Sequence, residues 1–290
     1  MILHDEFFME WWEKNSQKFK AVFFDIDGTL ISGRRLLPGA DKMLDWLKSR
    51  NFPFYLLTND GNHSQEEKSA HIRKTGLDTA PEEIISCGDA LKSYVKNENI
   101  SGRTFYVMGD LGVPCYAEKA DLKVSRDLKR IDKCDGVIVG EGTYDWQANI
   151  QGVMNFFKKH PERLMLVPNP DSYWPNGPSG EIGIGAGGKA RFIVSILSEM
   201  GVEIEPVYLG KPYQAIYDYA LSLLCERFNI KKNFKRSEII MLGDFLKSDI
   251  MGANKAGFTS VLMLTGVTGL EQAKKAEGDY SPDHVFESFI

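Results

Sequence analysis

Apolar residues gather in short runs at positions 21–26, 52–57, 206–209 and 239–242, each rich in β-branched or aromatic side chains and bounded by polar or glycine positions. Runs of this length with no alternation predict strands buried on both faces. Between most of them lie stretches of helical period, such as 41–50 and 65–75. Strand and helix in alternation predict an open α/β architecture, a parallel sheet with helices on both faces. Further strands are expected at 104–108, 137–139 and 164–167, and further helices at 146–159 and 189–200. In such sheets ligands sit beyond the carboxyl ends of the strands, and each of the four runs is followed at that end by a polar motif.

The first motif is Asp25-Ile26-Asp27-Gly28-Thr29-Leu30. Two carboxylates two residues apart leave the strand on the same side, so one can attack phosphorus while the other protonates the leaving oxygen and later takes a proton from water. Asp25 suits the attack and Asp27 the proton transfer. The longer calcium-loop pattern is missing. An anionic nucleophile and a phosphate at 4 Å repel by about 4 kcal/mol at an effective dielectric near 20, so positive charge is required. Asp244 and Asp249, in Gly243-Asp244-Phe245-Leu246-Lys247-Ser248-Asp249, add hard oxygen donors of the kind that suit Mg²⁺. With Asp25 and Asp27 they form the candidate metal set. Lys211, in Leu209-Gly210-Lys211-Pro212, offers a fixed ammonium, and Thr58 and Asn59 offer hydroxyl and amide donors to phosphoryl oxygens. Taken singly, each has a bland reading as a helix cap, a turn or a dipole partner; their order and placement at strand ends favour the chemical one.

These four motifs resemble those of the haloacid dehalogenase superfamily. The long separation of Thr58 from Lys211 resembles the class IIA branch of NagD-like and 4-nitrophenylphosphatase-like enzymes, as do Asn169-Pro170-Asp171 and Gly185-Ala186-Gly187. The resemblance implies a Rossmann-like core at 1–86 and 206–290, with an inserted α/β cap of the C2 type at 87–205. It also implies that Asp25 is the nucleophile, Asp27 the acid and base, Thr58 and Lys211 phosphate binders, and Asp244 and Asp249 magnesium ligands. Dehalogenase members lack the second carboxylate of the first motif, so Asp27 points to phosphatase chemistry. Ser248 stands where the branch often has Thr, and Asp60-Gly61-Asn62 after Thr58-Asn59 is unusual. Asn169, Asp171 and Trp174, in a stretch stiffened by proline that runs to Pro178, are the expected specificity contacts.

Composition narrows the partners. A net charge of −5 with no basic stripe argues against a nucleic acid polymer, which leaves a small phosphate ester as the expected substrate. Four cysteines without a Cys-x-x-Cys pair read as reduced thiols of a cytoplasmic protein. No run approaches a membrane span, and residues 4–20 mix Phe7, Phe8, Trp11 and Trp12 with acidic side chains. That stretch lacks the basic start and continuous apolar core of a signal peptide; it is expected to pack on the core domain or on a second copy of the chain, as in a homodimer. Gly183-Ile184-Gly185-Ala186-Gly187-Gly188 satisfies Gly-x-Gly-x-x-Gly, but residues 177–180 break the approach from the preceding strand, so tight helix packing is expected there. Two competing readings remain open: a dinucleotide-dependent oxidoreductase built on that segment, and a non-catalytic metabolite-binding protein.

Overall fold

Parallel strands covered on both faces need continuous apolar runs, and the chain builds two sheets from them. The computed structural model describes residues 1–175, 181–230 and 233–290. The expected break at 177–180 and the stretch from Asn176 to Pro178 lie outside the described residues. Leaving aside the small antiparallel pair Ile31–Ser32 and Arg35–Leu36, the strands in chain order are β1 Ile2–Leu3, β2 Ala21–Phe24, β3 Phe54–Thr58, β4 Ile84–Ser86, β5 Thr104–Met108, β6 Lys123–Ser125 and β7 Gly136–Val139. There follow β8 Leu164–Val167, β9 Tyr173–Pro175, β10 Ile182–Ile184, β11 Val207–Tyr208, β12 Ile239–Gly243, β13 Thr259–Met263 and β14 His284–Phe286.

The contacts divide the chain into two compact units. The first comprises Met1–Thr58, Gln65–Ile85 and Tyr217–Ile290, the second Asn59–Ser64 and Ser86–Ile216. The first is built on a sheet of order β1-β14-β13-β12-β2-β3-β4. Its neighbours from β1 through β14, β13, β12 and β2 to β3 pair in parallel. The second holds a parallel sheet of order β11-β8-β7-β5-β6 and an antiparallel hairpin of β9 and β10.

One expectation is corrected. The run at 206–209, expected in one sheet with the strand before Asp25, forms β11 at the edge of the smaller sheet, paired in parallel with β8 through Leu166–Val207 and Val167–Tyr208. It is two residues long and only half-buried, and so short an edge carries no local mark of which sheet it joins.

The aromatic N-terminus packs on the first unit's own core. Phe8 and Trp12 are fully buried on the helix Phe8–Asn15. Phe8 meets Phe286 and Phe289 edge to face, and Trp12 meets Trp46 and Phe52 in the same way. At ~25 cal/mol per Å² and ~200 Å² per ring, each contributes at most about 5 kcal/mol.

Next to this helix β1 extends the sheet, and His4 Nε2 lies 2.9 Å from His284 Nδ1 while the His4 ring stacks on Phe286 at 4.3 Å. Burial holds both imidazoles below their ordinary 6.5, and for His284 the neighbouring His4 adds to this against Asp283; for His4, Glu6 and Asp5 oppose it. The unfolded chain therefore binds these protons more readily than the folded one. Stability from this pair is fully present above pH 6.5 and is lost as pH falls through that value toward the depressed folded values. Urea midpoints at pH 7 and pH 5 should differ less in His4→Phe than in the parent; an equal shift would show that the pair does not titrate in this way.

Candidate active site

Asp25 follows β2 directly, and the ladder continues one residue past the strand, with the Asp25 amide donating to the Leu242 carbonyl at 2.8 Å. Because β2 and β12 are adjacent and parallel, the residues that leave their carboxyl ends emerge together. Asp244 comes next after β12. The wide helical turn Leu246–Ile250 then brings Asp249 back, its Oδ2 accepting from the Phe245 amide at 3.1 Å. Asp25, Asp244 and Asp249 are all buried, and one carboxylate oxygen of each lies within 4.8 Å of the others.

The backbone around this trio is cut to fit. Gly28 adopts a φ of +95°, and a Cβ there would overlap the Asp244 carboxylate. A Cβ at Gly266 would do the same. The Val267 amide donates to Asp244 Oδ2 at 2.6 Å, and Thr265 Oγ1 donates to the Gly28 carbonyl at 2.7 Å. The loop after β13 thus clasps the site, a contribution the sequence reading missed, although Thr265-Gly266-Val267-Thr268-Gly269 after an apolar run was a visible signal.

Three carboxylates at such spacing repel by roughly 3 kcal/mol per pair at an effective dielectric near 20. Their hard oxygens, brought together away from water, suit a small divalent cation.

Asp27 is placed otherwise. Its carboxylate does not join the trio: Oδ2 pairs with Lys68 Nζ at 2.7 Å, with the Asp27 side chain 55% exposed and the Lys68 side chain 10%. Two carboxylates that leave one strand end on the same side therefore part, one into the acidic cluster and one to a lysine. Lys68, on the helix Gln65–Arg73, was not singled out from sequence; its pairing spans 41 positions and has no local signature. Thr58 is buried at the carboxyl end of β3.

The remaining motif residues lie in the second unit, where Lys211 is almost wholly buried. The Lys211 amide donates to Asn59 Oδ1 at 2.8 Å, and Asn59 Nδ2 donates to the Lys211 carbonyl at 2.8 Å and to Asp171 Oδ2 at 3.0 Å. With two donor hydrogens on that nitrogen, the Asn59 amide is fully engaged. Both side-chain donors that were expected to reach a phosphoryl group are thus occupied by the Lys211 carbonyl and Asp171. The unusual Asp60-Gly61-Asn62 also has a physical account, since Asp60 Oδ1 accepts from the amides of Asn62 at 3.0 Å and His63 at 3.2 Å and closes a turn.

Of the expected specificity residues, Asn169 is buried and spends both ends of its amide internally, Nδ2 on Glu141 Oε1 and Oδ1 on the Asp171 amide, each at 2.8 Å. Asp171 is tied to Asn59, and Trp174 is 44% exposed on the hairpin, its indole over Gly183. Burial first, then the charge of Asp60, raise the Glu141 carboxyl above the ordinary range. The glycines at 185–188 serve packing: Cβ atoms at Gly187 and Gly188 would overlap the carbonyl oxygens of Pro170 and Ser172. The strand before them, β10, belongs to the hairpin and is not the parallel strand a dinucleotide fingerprint requires.

Family models match in two blocks, haloacid dehalogenase-like hydrolase over residues 22–123 and HAD-hydrolase-like over 208–290. The chain belongs to the haloacid dehalogenase-like hydrolases. Within them it falls with the class IIA phosphatases. An acid sugar phosphatase of Staphylococcus haemolyticus is 28% identical over 278 residues, 93% of this chain and 94% of the relative. NagD of E. coli superposes with a TM-score of 0.76 at 24% identity, covering 93% of this chain and 97% of that one. A glycerol phosphate phosphatase of Mycobacterium tuberculosis, in complex with magnesium, does so with 0.78 at 23%, covering 94% and 77%. The four cysteines of this family member are free, and among the described residues no helix is long and apolar enough to cross a membrane.

Proposed function

We propose that the chain is a magnesium-dependent phosphatase of small soluble phosphate monoesters, sugar phosphates foremost, acting in the cytoplasm through an aspartyl-phosphate on Asp25. The convergence of Asp25, Asp244 and Asp249 on one small volume carries this reading. The acid sugar phosphatase relatives support the substrate class.

In this reading Asp25, Asp244 and Asp249 hold the cation, which when bound neutralises charge between carboxylate and phosphoryl group. A carboxylate oxygen of Asp25 attacks phosphorus; the ester P–O bond breaks, and the Asp27 carboxyl gives its proton to the departing alkoxide. Asp27, now a carboxylate held by Lys68, takes a proton from the water that attacks the aspartyl-phosphate. The bond between Asp25 and phosphorus breaks, and inorganic phosphate leaves. Thr58 and Lys211 are assigned to the phosphoryl oxygens, whose charge spreads in a loose transition state.

The purified protein, offered a library of phosphate esters, should release inorganic phosphate with magnesium, lose that activity on exhaustive chelation and regain it on adding magnesium back. Hydrolysis that survives chelation would eliminate the mechanism, and none with any ester would favour a non-catalytic metabolite-binding role.

A further inference from the structure

The smaller sheet has a topological switch point of its own. From β5 the chain passes outward to β6, then returns to the other side of β5 as β7 and continues away through β8 to β11. Connections thus leave β5 and β7 in opposite directions, and in open parallel sheets a ligand crevice lies beyond the carboxyl ends of such a pair. What stands there is Asp110, two residues past β5, and Glu141, two past β7, their backbones tied by hydrogen bonds of 2.9 and 3.0 Å. Tyr144 and Trp146 follow Glu141 in sequence, and Lys189 reaches in from the first turn of the helix Ala186–Glu199.

Several polar groups there lack partners. Lys189 is 3% exposed, yet its ammonium makes no hydrogen bond or ion pair among the described residues; it lies 5.0 Å from the centre of the Tyr144 ring and 5.2 Å from that of Trp146. The Tyr144 hydroxyl is buried without a partner among the described residues. Glu141 uses Oε1 for Asn169 and Ala186, while Oε2 has no partner among the described residues. A buried ammonium that lies over two ring faces and makes no ion pair among the described residues is a costly arrangement for a fold to keep for its own sake. Burial brings it down to about 8 even against the attraction of Glu141 and Asp110.

We propose that this crevice binds a polyhydroxylated carbon chain, a sugar or alditol, whose hydroxyls accept from Lys189 and Tyr144 and donate to Glu141. The charges select that chemistry. An anion would meet Glu141 and Asp110, and a cation would meet Lys189, whereas a neutral hydroxyl both donates and accepts, and Trp146 offers an aromatic face to the carbon chain. The site goes beyond the phosphatase reading and does not depend on it, because free polyols are the probe.

Calorimetric titration of the full chain, in chelator, with D-glucitol, D-ribose, sulfate and succinate provides the test. A polyol should bind, and Lys189→Met and Glu141→Gln should each weaken it at least tenfold, about 1.4 kcal/mol, with neither anion binding at this site. The apolar replacement at Lys189 should also leave the melting temperature unchanged or raised. Trp146→Phe should remove the fluorescence change that accompanies binding. No heat from any polyol, equal affinity in parent and both folded variants, or an anion bound with loss in Lys189→Met would overturn the proposal. Phosphate release without polyol binding would sink this site alone; polyol binding without phosphate release would sink the phosphatase reading alone.

Discussion

Asp25→Asn is expected to reduce phosphate release by about 10⁴-fold or more while the far-ultraviolet circular dichroism stays that of the parent. The size follows from what is removed: an amide oxygen is a poor nucleophile toward phosphorus, and losing the attacking group of an enzyme that works through a covalent intermediate removes the step, not merely an interaction within it. The fold should survive because asparagine keeps the shape of the side chain, and the ladder at this position runs through the backbone, from the Asp25 amide to the Leu242 carbonyl at 2.8 Å. Removing one of three clustered carboxylates also relieves mutual repulsion when no cation is bound. Retention of the parental rate in a folded variant would rule Asp25 out as nucleophile.

Asp244→Asn should weaken magnesium binding by roughly a hundredfold or more. Loss of a group that merely orients a ligand costs ~10–100-fold in metal affinity, so loss of a ligand itself sets that as a lower bound. Activity should fall with it and recover in part at high magnesium, a behaviour Asp25→Asn should not show. Gly266→Ala is the companion change. It leaves every charge in place, but its methyl group would occupy the volume of the Asp244 carboxylate, so metal affinity should drop there too. Titration calorimetry decides; an unchanged magnesium affinity in Asp244→Asn would remove this residue from the metal set.

Much of the first unit's chemistry was legible because strands covered on both faces must be apolar throughout, so the polar residues that end them stand out. Asp25, Thr58 and Asp244 each follow or close such a run, and all three lie at the carboxyl end of the larger sheet. What could not be read was pairing at a distance. Asn59 beside Thr58 has the look of a phosphoryl donor, yet its amide is spent on Lys211, 152 positions away. Lys68 and Glu141 were passed over for the same reason: each acquires its meaning from a partner that only the folded chain supplies. The strand β11 went to the wrong sheet because two residues at an edge carry too little pattern. The strand β1 escaped notice likewise, being two exposed residues placed by the register of Ile2 with His284 and Leu3 with Val285.

The attack by Asp25 is tested most directly by trapping its product. The protein is mixed briefly with a ³²P-labelled sugar phosphate and magnesium, quenched in acid, digested and mapped for acyl-phosphate. Label should appear on the peptide that contains Asp25 and be absent from Asp25→Asn. Steady release of phosphate with no label on that peptide, or with label on another residue, would contradict the account.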